Sequence, residues 1–337
     1  MSRSVLLESP GRQRVVKGEV PGPGPGEVLV RVAAAGICGS DRELYEGGRP
    51  EPYRTFPIVP GHEWSGTIEE AGPGVDPSLV GRPTVGEGFV NCQVCDRCRA
   101  GDTNLCGAGY DEIGFTRPGA FADHLIVPAR LLHPLPAGTD LRAAVLLEPA
   151  AVAAAAVLQA APLAGERVGV VGAGTLGLLT IQLLAASSPA ELVVSDPRAG
   201  REPVARAGGA TAYFHPDRLD ALDLDVVVET AGARDSAAAA ARQVRRGGRL
   251  VLTGIPGGAP EGLSPSSIVG RQLTVTSVFG APAAAWTYAV RAFTSGLLDL
   301  APLVTHELPL EAYPDAVALL GQGDENVGKI ILNPRSP

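Results

Sequence analysis

Residues Arg167–Gly177 read RVGVVGAGTLG, and this segment restricts the fold more tightly than any other in the chain. An apolar run meets three glycines, Gly172, Gly174 and Gly177, in the spacing G-x-G-x-x-G, and an apolar stretch from Leu176 to Ala185 follows. The pattern predicts a buried strand, a tight turn and a helix packed close to the strand. The first glycine allows the turn, the second lets a pyrophosphate approach the backbone, and the third lets helix and strand touch. A helix N-terminus placed there, at Thr175 and Leu176, attracts phosphate through its free N–H groups. Glycine turns are common, so the three glycines alone signal little. They become specific because Asp196 closes the next apolar run, ELVVSD, roughly twenty residues on. A carboxylate at that place accepts hydrogen bonds from the ribose hydroxyls of NAD and repels the 2′-phosphate of NADP. Arg198 and Arg201 follow closely and are able to contact such a phosphate, so NADP stays as the second candidate.

Downstream of Arg167 apolar runs alternate with helical segments. Val168–Gly172, Leu192–Asp196, Asp225–Glu229, Leu250–Gly254 and Leu273–Phe279 read as strands, and the alternation predicts an α/β, doubly wound parallel sheet. Upstream, Glu27–Val32 and Trp64–Glu70 read as short strands broken by glycine and proline, and the segment from Pro21 to Gly26 (PGPGPG) reads as a rigid turn. This texture predicts an irregular, mostly antiparallel β-domain. We therefore expect a first domain over residues 1–145, a dinucleotide-binding domain over 146–285, and a return to the first domain over 286–337, with a helix after Trp286 and a strand at Lys329–Leu332. A chain of 337 residues is long enough for two such domains.

Composition narrows the partners. Acidic residues exceed basic ones, for a net charge of −8, which argues against nucleic acid as the main partner. The alanine-rich stretch from Ala143 to Ala161 is interrupted by Glu148, Pro149 and Gln159, so it reads as a buried helix and not as a membrane span. No basic segment followed by an apolar run opens the chain, and we expect a cytoplasmic protein without a membrane partner. Lysine occurs only at Lys17 and Lys329 among 28 basic residues, a usage that suggests a GC-rich bacterial genome.

The five cysteines are Cys38, Cys92, Cys95, Cys98 and Cys106. The last four have the spacing C-x-x-C-x-x-C-x7-C. Four thiolates that close repel one another unless a soft cation neutralises them, and zinc binds such a set tetrahedrally with no position left open. The expected role is structural, pinning an exposed loop; free thiols or a labile redox cluster are the competing reading. Cys38 lies in Gly36-Ile37-Cys38-Gly39-Ser40-Asp41, and His62 and Glu63 lie in Pro60-Gly61-His62-Glu63. Taken singly they are unremarkable, because a lone cysteine or histidine is more often a core residue than a ligand.

In order along the chain, the Cys-Gly-Ser-Asp segment, Gly-His-Glu, the four spaced cysteines, Leu147-Glu148-Pro149, the glycine fingerprint and the closing Gly328-Lys329-Ile330-Ile331-Leu332 resemble the zinc-containing medium-chain dehydrogenase/reductase (alcohol dehydrogenase) family. The resemblance spans essentially the whole chain. It implies a GroES-like catalytic domain, a Rossmann domain, an active cleft between them, two zinc ions per chain, and oxidation of an alcohol by hydride transfer to the nicotinamide. Carried over by position, Cys38 and His62 look like ligands of the catalytic zinc, Glu63 like a ligand directly or through water, and Glu148 like a further carboxylate that exchanges onto the same metal. Asp41 is similar to a residue that holds the far nitrogen of the zinc-bound histidine, and Ser40 to a hydroxyl that passes the substrate proton; both residue types also cap helices. Thr230, Gly254, Ile255, Val278 and Phe279 end expected strands and, by the same resemblance, line the ribose and nicotinamide.

For the substrate, Gly-His-Glu resembles the polyol- and threonine-type branch. The stretch Cys38–Gly66 is similar to 2-deoxy-scyllo-inosamine dehydrogenases of aminoglycoside antibiotic biosynthesis, which implies an aminocyclitol. A polyol, a sugar or L-threonine are the alternatives, and a non-catalytic NAD-binding protein is the alternative of another class. Tyr45, Arg49, Tyr53 and Glu87 are polar groups able to face a substrate, or equally the solvent. Leu273–Phe279 reads as an edge strand able to pair with its twin in a homodimer or homotetramer.

Overall fold

The computed structural model describes residues 1–20, 22–218, 222–256 and 262–336. Pro21, the first residue of the expected proline–glycine turn, lies outside them. The chain forms two compact units, Met1–Glu148 with Asp299–Pro337, and Pro149–Leu298. The return to the first unit comes at Asp299, later than the Trp286 read from the sequence. Trp286 belongs instead to the helix Ala283–Thr294 of the second unit, whose buried face carries Ala285, Trp286, Ala289 and Ala292.

The first unit is built on a seven-stranded sheet. In spatial order its path runs Val304–Leu308, Lys329–Leu332, Glu27–Ile37, Glu63–Ala71, Pro83–Gly86 and Leu132–Pro134, with His124–Pro128 pairing onto Glu27–Ile37. All pairings are antiparallel except that of Val304–Leu308 with Lys329–Leu332. The long strand Glu27–Ile37 is the hub. Its alternating valines, Val28, Val30 and Val32, point into a core that includes Trp64, Ile68, Phe121, Tyr313 and Ile330. Strand pairing sets Gly36 opposite Glu63 and Ile37 opposite Ile330, so residues far apart in sequence meet at one end of the sheet.

The second unit holds a six-stranded, wholly parallel sheet in the order Ala212–Phe214, Glu191–Ser195, Arg167–Val171, Leu224–Glu229, Val244–Leu252, Thr274–Ser277. The chain starts in the centre, winds to one side, then crosses to the other. The switch lies between Arg167–Val171 and Leu224–Glu229, where doubly wound sheets open a crevice at their carboxyl ends. The strand Ala212–Phe214 is absent from the sequence reading because it has only three residues. Val244–Leu252 begins six residues before the expected Leu250, through the charged run RRGGR that gave no apolar signal. The helix Leu147–Ala160 buries mainly alanines, with Leu147 and Val157, and exposes Leu158. Among the described residues no helix is long and apolar enough to cross a membrane.

Candidate metal centre and nucleotide site

Cys38 caps the helix Gly39–Glu46, and Glu63 opens the strand Glu63–Ala71 directly after His62. Cys38, His62 and Glu63 converge there, each offering one ligand atom within 4.8 Å of the others. Room for the Glu63 carboxylate comes from Gly36 on the paired strand, where a Cβ would stand 2.0 Å from Glu63 Oε2. Asp41, fully buried, does two jobs. Its Oδ2 accepts the Cys38 N–H at 2.9 Å, capping the helix, and its Oδ1 lies 3.5 Å from His62 Nδ1. Both Asp41 Oδ1 and His62 Nδ1 are buried and lack a hydrogen-bond partner among the described residues. A ring nitrogen facing a carboxylate takes the proton, which leaves Nε2 as a lone-pair donor toward Cys38 and Glu63. Burial lowers the His62 pKa, but Asp41 and Cys38 more than reverse this and hold it well above the ordinary value of 6.5. The group thus attracts positive charge, and thiolate, imidazole and carboxylate are the donor types zinc takes in catalytic sites.

Lys329 entered the sequence reading as part of a closing motif and as one of two lysines, without a role in the site. Its buried ammonium donates to Glu63 Oε1 at 2.7 Å, Glu63 Oε2 at 2.5 Å and the Ile37 carbonyl at 3.1 Å. Burial lowers its pKa, and Glu63 and Cys38 outweigh that and raise it above 10.5. Glu63 is therefore half of a buried ion pair. Glu148, which the resemblance implies as an exchanging carboxylate, is not among the three that converge, but its electrostatic neighbours include His62, Glu63 and Lys329. It starts the helix Leu147–Ala160, and burial, with Glu63 and Glu112 nearby, pushes its pKa up to about 8 against the pull of His62 and Lys329. Ser40 sits half-buried in the first turn of Gly39–Glu46, its hydroxyl without a hydrogen-bond partner among the described residues. Of the four polar groups flagged for a substrate, Tyr45 packs edge-on against Tyr313, and Glu87 pairs with His133 at 3.3 Å. Arg49 is buried within reach of Glu112, and Tyr53 packs edge-on against Tyr110.

Cys92, Cys95, Cys98 and Cys106 also converge, with Cys92 Sγ 4.0 Å from Cys98 Sγ. A tetrahedron with Zn–S bonds of ~2.3 Å has edges of roughly 3.8 Å, so the thiols stand at zinc spacing. Backbone N–H groups already point at the sulfurs: Cys92 to Cys106, Cys95 to Cys92, and both Cys98 and Gly107 to Cys95. The amides of Cys98 and Gly107 bring the Cys95 pKa down to about 6, whereas burial and the neighbouring Cys95 push Cys98 up to about 12. Without a cation the four cannot all be thiolates, and a divalent metal removes that conflict.

In the second unit Gly172, at φ 101°, turns the chain against the backbone of Ala231, and a Cβ on Gly177 would stand 1.9 Å from the Gly172 carbonyl oxygen. A Cβ on Gly174 would meet only Arg198, at 4.0 Å, so this face is open to a ligand. Thr175 and Leu176 begin the helix Thr175–Ala185, whose N-cap Gly174 supplies no side-chain cap. Its first N–H groups remain available to phosphate. Asp196 accepts the Ala173 N–H at 2.7 Å and is held by Arg198 through Nε and Nη2. Arg201 is buried at the N-cap of Glu202–Ala207. Thr230 Oγ1 donates to the carbonyls of Val171 and Gly172. Glu229, the last residue of its strand, accepts the N–H groups of Ala231, Gly232 and Gly254, tying two crevice loops together. Ile255 follows Gly254 and is exposed; Val278 and Phe279 follow Thr274–Ser277, with Phe279 partly exposed.

Comparison with known proteins is consistent with this geometry. The model of the alcohol dehydrogenase GroES-like domain matches residues 24–137, and that of the zinc-binding dehydrogenases matches residues 175–295. The L-threonine 3-dehydrogenase of Pyrococcus horikoshii is 32% identical over 97% of both chains. An alcohol dehydrogenase from Escherichia coli, solved with NADH, superposes with a TM-score of 0.91 at 27% identity, covering 98% of this chain and 99% of that one. Galactitol-1-phosphate dehydrogenase from Escherichia coli superposes with a TM-score of 0.88 at 28% identity, covering 98% and 100%.

Proposed function

Because the chain belongs to the zinc-containing medium-chain dehydrogenase/reductase family, we propose that it oxidises a secondary alcohol to a ketone and passes the hydride to NAD, with an aminocyclitol such as 2-deoxy-scyllo-inosamine as its substrate. The observation that carries the reaction class is the convergence of Cys38, His62 and Glu63 with Asp41 behind the histidine. When bound, zinc at these residues supplies Lewis-acid polarisation of the alcohol, and the nicotinamide supplies the hydride acceptor. The chain's own residues do the rest. Asp41 keeps the Nδ1 proton on His62 and fixes the ring. Lys329 neutralises Glu63 and keeps its carboxylate at the end of the sheet. Ser40, with an unengaged hydroxyl, accepts the proton that the alcohol gives up and passes its own outward. Gly174 and the head of Thr175–Ala185 receive the pyrophosphate, and Asp196 the ribose.

NAD is favoured over NADP because Asp196 presents a carboxylate where a 2′-phosphate would lie. Arg198, swung off Asp196, is the group that would admit NADP. The aminocyclitol rests on the stretch Cys38–Gly66, and the threonine- and polyol-acting relatives support the alternatives of L-threonine or a polyol. The outer strand Thr274–Ser277 leaves one edge without a partner in the described sheet. We place the contact of a homodimer, or of a homotetramer built from it, on that edge; light scattering of an edge variant such as Thr276→Pro tests it, and an unchanged mass would reject it.

The test of function is reduction of NAD and NADP by zinc-loaded protein against 2-deoxy-scyllo-inosamine, inositols, open-chain polyols, sugars, L-threonine and simple secondary alcohols. Turnover of the aminocyclitol with NAD bears the reading out. Turnover of a polyol or threonine alone keeps the reaction and removes the substrate. Binding of zinc and NAD without turnover of any alcohol would leave a non-catalytic nucleotide-binding protein.

A further inference from the structure

One buried polar group near His62 has no part in the chemistry above. Phe115 packs on His62 with ring centroids 4.8 Å apart, and the Arg49 guanidinium lies 3.6 Å from the Phe115 centroid. Arg49 is fixed. Its Nε donates to the Tyr53 carbonyl at 2.7 Å, and its Nη2 reaches Tyr110 Oη at 2.6 Å and Glu112 Oε2 at 3.5 Å. Tyr110 Oη donates to the same Oε2. Arg49 is 9% and Glu112 6% exposed. Every partner of the Glu112 carboxylate therefore meets one oxygen. The other, Oε1, has no hydrogen-bond partner among the described residues and, unlike Asp41 Oδ1, is not sealed from solvent. Gly88 stands beside it, where a Cβ would come within 3.4 Å of Oε1.

Glu112 Oε1 is thus open to a partner from outside the protein, and its surroundings hold it in place. Tyr110 and Arg49 hold the far oxygen, and the backbone of Glu112 is locked by Thr116, whose Oγ1 accepts the Glu112 N–H at 2.7 Å. The electrostatic partners of Glu112 include His62 and Asp41, so it belongs to the surroundings of the metal group. The complement of one fixed, unpaired carboxylate oxygen is a cationic donor, and an ammonium matches it best among the groups an alcohol substrate carries.

We propose that Glu112, held in place by Arg49 and Tyr110, is the specificity-determining residue for the substrate, and that through Oε1 it receives an ammonium group on the alcohol oxidised at Cys38, His62 and Glu63. The substrate class is then a vicinal or cyclic amino alcohol. This rests on the reading of the three residues as the site of alcohol oxidation, and it goes further by naming what discriminates an amino alcohol from a neutral polyol.

The test is calorimetric titration of the zinc-loaded wild type and of Glu112→Gln with 2-deoxy-scyllo-inosamine and with neutral scyllo-inositol, with steady-state oxidation of both measured in parallel. Glutamine keeps the shape and the acceptor for Tyr110 and removes the charge. The expected result is binding of the amine weakened by roughly 10- to 100-fold in the variant, the loss of one charge-assisted bond, with binding of the inositol changed by less than about 2-fold. Where the wild type turns the amine over, the loss falls on KM and not on kcat. Equal weakening of both ligands, or no weakening of the amine, would overturn the assignment. Because binding is read separately from turnover, absence of oxidation counts against the proposed reaction alone, while a lost amine preference in the titration still counts for Glu112.

Discussion

Replacing Lys329 by methionine probes how much of the metal centre depends on a residue that binds neither metal nor cofactor. The side chains of Lys329 and Glu63 are 5% and 1% exposed, and the ammonium contacts both carboxylate oxygens and the Ile37 carbonyl. Methionine fills nearly the same volume, so the cost is electrostatic: Glu63 is left buried and ionised with its partner gone. Removing one member of a buried pair costs about 3–5 kcal/mol. At ~2–4 °C per kcal/mol for a chain of this size class, the melting midpoint of metal-free protein should fall by roughly 10 °C. The double variant Lys329→Met, Glu63→Gln, with no charge left to strand, should recover most of that loss. Zinc, where it binds beside Glu63, replaces part of the missing positive charge, so the single variant should lose less when zinc-loaded. Urea and thermal unfolding of the wild type, both single variants and the double variant, with and without metal, supply the comparison. A loss under about 1 kcal/mol in the single variant, or a double variant no more stable than Lys329→Met, would refute the idea that this pair is held by mutual neutralisation.

Asp196→Asn should lower kcat/KM for NAD by roughly 10- to 100-fold and shift preference toward NADP, because it removes a ribose acceptor and frees Arg198; steady-state kinetics with both coenzymes decide it. Asp41→Asn should weaken the zinc held by Cys38, His62 and Glu63 by about 10- to 100-fold, as loss of a histidine's orienting partner does, measured by competition with a chelator. Cys95→Ser should cut zinc content by one ion per chain and open the segment from Cys92 to Cys106 to proteolysis, while the other metal stays. Asp225 is subject to burial that raises its pKa, but the Arg167 N–H and Arg245 outweigh it, so the folded value lies below 3.8. Its stabilisation is present above pH 3.8 and lost as pH falls through the lower folded value. The gap in urea midpoint between wild type and Asp225→Asn should be full at pH 6 and close below that range.

Features that depend on short spacing were legible in the sequence. The glycine fingerprint and the four cysteines each lie within one loop or turn, so residue type and interval already state the geometry. The central strands of the second unit, Arg167–Val171, Glu191–Ser195 and Leu224–Glu229, were legible for a similar reason: a strand buried on both faces is an almost unbroken apolar run. The Lys329–Glu63 pair was not legible, because its members are 266 positions apart. They meet only because Lys329–Leu332 pairs with Glu27–Ile37, which pairs with Glu63–Ala71. A lysine is ordinarily a surface residue. One signal was there to use: in a chain that takes arginine almost everywhere, a lysine kept inside an apolar strand (Lys329-Ile330-Ile331-Leu332) asks for a buried reason. The grip of Arg198 on Asp196 is local, yet spacing does not say which way an arginine side chain turns, and the sequence offered Arg198 only as a contact for a phosphate.

The same contrast separates the two metal groups. The four cysteines sit within one segment, and the hydrogen bonds to their sulfurs come from backbone N–H groups of that segment. Closing it costs little chain entropy, and the metal itself is enough to order it. Cys38, His62 and Glu63 reach one another through a helix start and two strand ends; Asp41 completes the charge balance from that same helix start, and Lys329 from a strand far off in sequence. Their donor geometry exists only once the sheet of the first unit has assembled. A substitution in that sheet therefore acts on metal affinity there without touching a ligand. This is why the cysteine set could be read directly as a zinc site, while Cys38 and His62 drew meaning only from the rest of the chain.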